Sequence, residues 1–179
     1  AFYFDIRKDT LYCDPKNSEK RKSTLILLNI ILDALLKWFA PILAFTTEEI
    51  YQLVSKKNKS IHLEKFLDLP KNLENLEIEK KWKELIKIRD ICNISIEEKR
   101  FNKEIGSSLE ASLEIQLNEK MFDLFKDIDF AELCITSTAQ VKKGSNNEIK
   151  ILTKKAIGDK CPVCWKISKE KCIRHHFKK

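Results

Sequence analysis

Residues 25–45, LILLNIILDALLKWFAPILAF, form the longest apolar run of the chain, and the reading of that run decides the fold. It is long enough to be considered as a membrane span. Asn29, Asp33 and Lys37 interrupt it, however, and their spacing of four places all three on one helical stripe. A helix with one narrow wet face and a wide dry one belongs in the core of a helical bundle, where Asp33 and Lys37 can pair at i,i+4. Its start is expected at Asn17 or Ser18, and Leu25, Leu28, Leu32, Leu35 and Phe39, three and four apart, are its expected core face. Pro41 then kinks or ends it.

Moving outward, residues 1–16 mix aromatics with charges and stop at the turn signal Asp14-Pro15, so they read as a connecting segment packed on a larger body. On the other side, Thr46-Thr47-Glu48-Glu49 has the form of a capping box that opens a second helix through Ile50, Leu53 and Val54. Residues 56–70 hold no helical period and read as a loop. A long third helix is expected over 76–105, with Trp82, Leu85, Ile88, Cys92 and Ile96 on one face and Gly106 placed to end it. After Gly106 the period changes. Ala111, Leu113, Ile115 and Leu117 alternate with polar residues as in a half-buried strand, and Met121, Phe122, Phe125 and Ile128 return to helical spacing. Ile135, Ala139 and Val141 lie in a second alternating stretch and Ile149 and Ile151 in a third, with Gly144-Ser145-Asn146-Asn147 as the turn between them.

Composition narrows the function. The chain has 179 residues, 43% hydrophobic and 34% charged, which is the balance of a folded soluble protein with a charged surface. Its three glycines, Gly106, Gly144 and Gly158, lie no closer than fourteen positions apart, so neither a dinucleotide fingerprint nor a P-loop can be present. Lys+Arg 34 against Asp+Glu 27 gives +7, which fits an anionic partner such as nucleic acid and equally fits a biased coding composition. Six cysteines without a secretory leader argue for a reducing, cytoplasmic compartment with thiols free or metal-bound. Ala1 opens the chain inside what reads as the middle of a folded segment, so a fragment of a longer protein is expected.

The densest chemistry lies in residues 158–179. Cys161, Cys164, Cys172, His175 and His176 gather there, half of the cysteines and two of the three histidines. Cys161-Pro162-Val163-Cys164 is a ligand pair on a tight turn, and Cys172-Ile173-Arg174-His175 repeats the spacing with an imidazole last. A closed structural Cys3His zinc site follows, with His176 the alternative to His175. So short a segment has almost no core, so the metal supplies its folding free energy. A Cys-Pro-Val-Cys redox pair is the competing reading, but it leaves Cys172 and His175 unexplained. Cys13, Cys92 and Cys134 read as small hydrophobes.

The charge converges on the same segment. Seven basic and two acidic residues give it +5 of the total +7. Trp165, Lys166, Lys169, Lys171 and Arg174 therefore form a candidate surface for single-stranded RNA, bases stacking on the indole and cations meeting phosphates. Against this, Trp165 can instead cover the metal or dock the module.

With these residues in view, the chain resembles the C-terminal region of isoleucyl-tRNA synthetase, a class I aminoacyl-tRNA synthetase. The resemblance rests on FYFDIRKDTLY at 2–12, LLKWFAPILAFTTEEI at 35–50, SIHLEKF at 60–66, IGSSLEASL at 105–113 and CPVCW at 161–165, in this order and spacing. It implies a mainly α fold in four parts: the connecting segment 1–16, a helical anticodon-binding bundle 17–105, a small α+β subdomain 106–157 and a zinc-binding module 158–179. The implied function is to hold the anticodon region of tRNA(Ile) for ATP-dependent aminoacylation by a catalytic domain outside this sequence, in a full-length protein that is a monomer and touches no membrane. Bacterial members usually complete the metal site with a fourth cysteine where this chain has His175. The nucleotide-binding signatures His-Ile-Gly-His and Lys-Met-Ser-Lys-Ser are not in this sequence, so the chain is expected to activate no amino acid alone. Lys166-Ile167-Ser168-Lys169 resembles the second only superficially, since it lies between metal ligands. Two other readings compete: a fragment of a zinc-finger-containing DNA-repair glycosylase, which lacks the expected N-terminal proline and glutamate, and a stand-alone zinc-dependent nucleic-acid-binding module.

Overall fold

The computed structural model describes residues 2–55, 59–68, 74–144, 148–172 and 174–175. They form two compact units, one of residues 15–75 and one of residues 1–14 with 76–179. No helix among the described residues is long and apolar enough to cross a membrane.

The unit of residues 15–75 is helical. Its first helix, α2, covers Glu19–Phe39, and the expected start is met: Ser18 caps it by accepting the Arg21 N–H at 3.3 Å. The helix stops just before Pro41, and Lys37 pairs with Asp33 at 2.6 Å along the predicted stripe. The buried face differs from the expected one. Leu32, Leu36 and Ala40, four apart, pack with Ile50 and Tyr51 of α3 (Ala44–Val54) and with Ile61, while Leu25, Leu35 and Phe39 stay exposed. The reason is that α3 and a single 3-10 turn at Ile61–Leu63 are the elements that α2 meets within this unit. They cover one seam, whereas the sequence carries apolar residues nearly all round. The capping box at Thr46 is also overturned, because α3 begins two residues earlier, at Ala44. Thr47 Oγ1 donates back to Leu43 O, and the Glu48 carboxylate accepts from Ser60 Oγ and Ile61 N, pinning the 3-10 turn to the helix.

In the other unit the segment read as a connection is a helix, α1 (Phe2–Cys13), with Ile6 and Thr10 buried. Phe2 meets Trp82 edge-on at 6.1 Å and lies under the Arg89 guanidinium, and Arg7 pairs with Glu132 at 2.7 Å. The long helix α4 (Leu76–Phe101) buries Leu85, Ile88, Cys92 and Ile96 as expected, with Trp82 at the margin. Its end is a correction. Gly106 does not close it; Lys103 does, in the left-handed region at φ 58, with Glu104 N–H reaching back to Lys99 O and Lys103 N–H to Arg100 O.

Three strands follow: β1 (Ala111–Leu117), β2 (Thr138–Lys143) and β3 (Lys150–Lys155), with short helices α5 (Glu119–Phe125) and α6 (Phe130–Leu133) between the first two. The alternation read in β1 is exact in the structure, its odd-numbered residues buried from Ala111 to Leu117. The sheet order is β2-β1-β3, with β2 parallel and β3 antiparallel to β1. Hence the second and third alternating stretches do not pair with each other. Gly144, whose N–H bonds Leu117 O at 2.7 Å, begins a connection past the end of β1; residues 145–147 of the expected turn lie outside the described residues. Ile135 is not in a strand either: at φ 55 it ends α6. The core joins α4 and β1 to Phe125, Phe130 and Leu133, each such side chain worth about 1.5–3 kcal/mol when fully buried. Thr153, buried on the same side of β3, is satisfied by Ser95 of α4 at 2.7 Å.

Candidate metal centre

Two short antiparallel strands, β4 (Asp159–Lys160) and β5 (Ile167–Ser168), frame the Cys161–Cys164 turn, which the bonds Trp165 N–H to Cys161 O and Cys161 N–H to Lys166 O, both 2.9 Å, draw tight. Gly158 is required at the entry: its φ is +133, and a Cβ there would lie 2.1 Å from Ser168 O.

The four residues expected as ligands converge. The ligating atoms of Cys161, Cys164, Cys172 and His175 all lie within 4.8 Å of one another. His176 lies outside the described residues. Cys164 and Cys172 sulfurs are 3.8 Å apart, and His175 Nδ1 is 3.5 Å from Cys161 Sγ and 3.3 Å from Cys172 Sγ. For tetrahedral zinc with Zn–S about 2.3 Å and Zn–N about 2.0 Å, neighbouring sulfurs stand about 3.8 Å apart and sulfur and nitrogen about 3.5 Å. The cluster therefore fits one such ion. The other ring nitrogen is committed: His175 Nε2–H donates to the Cys13 carbonyl at 2.6 Å, which leaves Nδ1 as the lone-pair face toward the sulfurs.

The electrostatics agree with the geometry. Burial acts to raise the Cys161 thiol, but backbone hydrogen bonds from Cys164 and Val163 and the neighbouring Cys164 and His175 outweigh it and bring the group down to about 6. At Cys164, burial and then the Cys161 and Cys172 sulfurs push the thiol up to about 11. Three converging thiols cannot all ionise unaided, and a divalent cation at their centre removes the conflict.

The knuckle is docked on α1. Arg174 grips Asp9 with both terminal nitrogens, at 2.8 and 3.1 Å, and Asp14 at 2.8 Å. Despite burial, which acts to raise it, the Asp9 carboxyl is held below the ordinary carboxylate range by the Arg174 hydrogen bonds and the charges of Lys166 and Arg174. Cys13 Sγ faces Val163 O at 3.8 Å, so this cysteine belongs to the docking surface, while Cys92 and Cys134 sit buried in the core. On the far side, Ser137 Oγ accepts the Ile167 N–H at 2.6 Å and donates to Leu109 O. Of the five residues read as an RNA surface, Trp165, Lys169 and Lys171 are exposed. Arg174 is taken up by Asp9 and Asp14, and Lys166 leans to Asp9 at 3.9 Å. Trp165 holds a left-handed φ of 62 with 58% of its surface exposed and Lys160 Nζ 5.7 Å from its ring centre.

Sequence reasoning missed Asp9, Asp14 and the Cys13 carbonyl. One signal was there: Asp5, Asp9 and Cys13, four apart, mark one polar face of a helix.

A helical unit is thus joined in sequence to a small mixed sheet and a knuckle of three cysteines and a histidine, with an exposed indole beside Lys160. A family model described as the anticodon-binding domain of tRNA ligase matches residues 1–116, and the chain belongs to that family. It is 63% identical over 175 residues, 98% of its length, to the isoleucine–tRNA ligase of Pelagibacter ubique, of which it covers 19%. It is 40% identical over 183 residues to that of Bradyrhizobium diazoefficiens and 42% over 184 residues to that of Rhodopseudomonas palustris, covering 94% and 93% of this chain and 18% of each relative. The chain thus spans about a fifth of the length of the curated relatives it matches. The resemblance to isoleucyl-tRNA synthetase read from the motifs is borne out, and the DNA-glycosylase alternative gains no support.

Proposed function

We propose that this chain is the tRNA-binding part of an isoleucine–tRNA ligase, which holds the anticodon region of tRNA(Ile) while a catalytic domain carried elsewhere in the ligase performs the ATP-dependent aminoacylation. The observation that carries the reading is the 63% identity to such a ligase along 98% of the chain. In the division of labour proposed here, residues 17–105 meet the anticodon stem, 106–157 form the subdomain that carries the knuckle, and 158–179 form the zinc module, with 1–16 as the segment on which the knuckle docks. Trp165, Lys169 and Lys171 are the proposed RNA contacts, with Lys166 at their edge and Arg174 acting by fixing the knuckle to Asp9 and Asp14. The full ligase is proposed to be a cytoplasmic monomer.

Cys161, Cys164, Cys172 and His175 are the proposed ligands, and a zinc ion bound there supplies folding free energy to a segment too short to have a core. His175 is oriented by the Cys13 carbonyl, and the left-handed Trp165 carries the ring out of the ligand turn. Titration of the zinc-loaded chain with tRNA(Ile), other tRNAs and damaged duplex DNA tests the reading. Preference for tRNA(Ile), weakening steeply with salt, is expected, and equal binding to the DNA contradicts it.

A further inference from the structure

The +7 is concentrated twice. Residues 158–179 carry +5, and residues 138–155 carry five lysines against the single acid Glu148, so the rest of the chain is net negative. The strand register places that second group. Thr153 pairs with Leu113 on the side of the sheet that faces α4, where it reaches Ser95. Side chains alternate along a strand, so Ser112, Glu114 and Gln116 lie on the opposite, open side. There Lys154 stands beside Ser112, and Lys142 and Lys150 flank Gln116. All three lysines are exposed. Among the strand residues of this face Glu114 is the one acid, and Lys142 Nζ neutralises it at 3.0 Å. From strand geometry, Lys150 and Lys154 are separated by about 13 Å and Lys142 and Lys150 by about 10 Å, so each can meet its own phosphate. Among the described strand residues of this face there is no aromatic ring for a base to stack on, in contrast to the knuckle with Trp165. The two surfaces are tied together, because Ser137, next to the first residue of β2, holds the Ile167 N–H of β5.

We propose that the open face of the β2-β1-β3 sheet is a second RNA contact, a platform in which Lys142, Lys150 and Lys154 grip the sugar–phosphate backbone of tRNA without regard to sequence. The proposal rests on the tRNA-binding reading above. Cations without stacking rings or base-reading pockets add affinity and salt dependence, not discrimination.

The test measures Kd for tRNA(Ile) and a non-cognate tRNA against salt, using the full zinc-loaded chain. Combining Lys142→Gln, Lys150→Gln and Lys154→Gln should weaken both tRNAs by a similar factor, at least about tenfold near 0.1 M salt, and lower the slope of log Kd on log salt by about 2 to 3. Glu114→Gln should act in the opposite direction, tightening both severalfold. A control triple, Lys103→Gln, Lys120→Gln and Lys126→Gln, should change the slope far less. An unchanged slope in the first triple while Trp165→Ala still weakens binding overturns the platform and leaves the tRNA reading intact, as does an equal loss in the control. A wild-type chain that binds no tRNA overturns both.

Discussion

Trp165 occupies a backbone position that suits glycine, and its cost can be measured separately from its use. A bulky residue at φ 62 is strained by roughly 1 kcal/mol or more. Trp165→Gly should therefore bind zinc as tightly as wild type or more tightly in competition with a chromophoric chelator. The same change should cost on the order of 1–3 kcal/mol of RNA affinity if a base stacks on the ring. Opposite signs in the two measurements mark a residue kept for what it touches; loss of zinc affinity would mean that the indole props up the ligand turn. The convergence of Cys161, Cys164, Cys172 and His175 was legible in the sequence, because Cys-x-x-Cys and Cys-x-x-His spacings are local and metal geometry demands them. The pairing of Arg174 with Asp9 and Asp14 was not, since these acids lie 165 and 160 residues away. The same distance explains why Arg174 read as a free cation: local sequence gives no sign of a salt bridge made across the chain.

Among the elements, α4 shows how a local rule is satisfied by an unexpected residue. Its buried face at Leu85, Ile88, Cys92 and Ile96 follows from period alone, but the left-handed residue at its end is Lys103, not the nearby glycine. Lys103→Gly should stabilise the chain by about 0.5–1 kcal/mol, seen as a raised Tm, by removing the Cβ conflict of that conformation; a lowered Tm would show that the lysine side chain contributes more than its backbone costs. The ends of helix α2 were readable from Ser18 and Pro41, and the period of strand β1 from the alternation over Ala111–Leu117. Which strands pair was not readable, because β1 takes its partners from 138–143 and 150–155 by contacts that no local pattern encodes. The buried seam of α2 was misassigned for a related reason. With apolar residues on most of its circumference, the partner and not the period selects Leu32, Leu36 and Ala40.

For the whole molecule, the knuckle and α1 hold each other, so metal should be felt well beyond its ligands. Chelating zinc from the chain should raise hydrogen exchange over the ligand segment and over Asp9–Asp14, which lose Arg174 and His175 as partners, while the β1 amides keep their protection. Protection unchanged at α1 would mean that the docking stands without the metal. Residues 15–75 form their own compact unit and should exchange as before. Recognition of the anticodon region is tested by comparing the zinc-loaded chain's affinity for tRNA(Ile) with its affinity for the same tRNA carrying another anticodon loop. Binding should be at least tenfold weaker after the swap, a difference of about 1.4 kcal/mol; equal affinity for the two would mean that this chain does not hold the anticodon region.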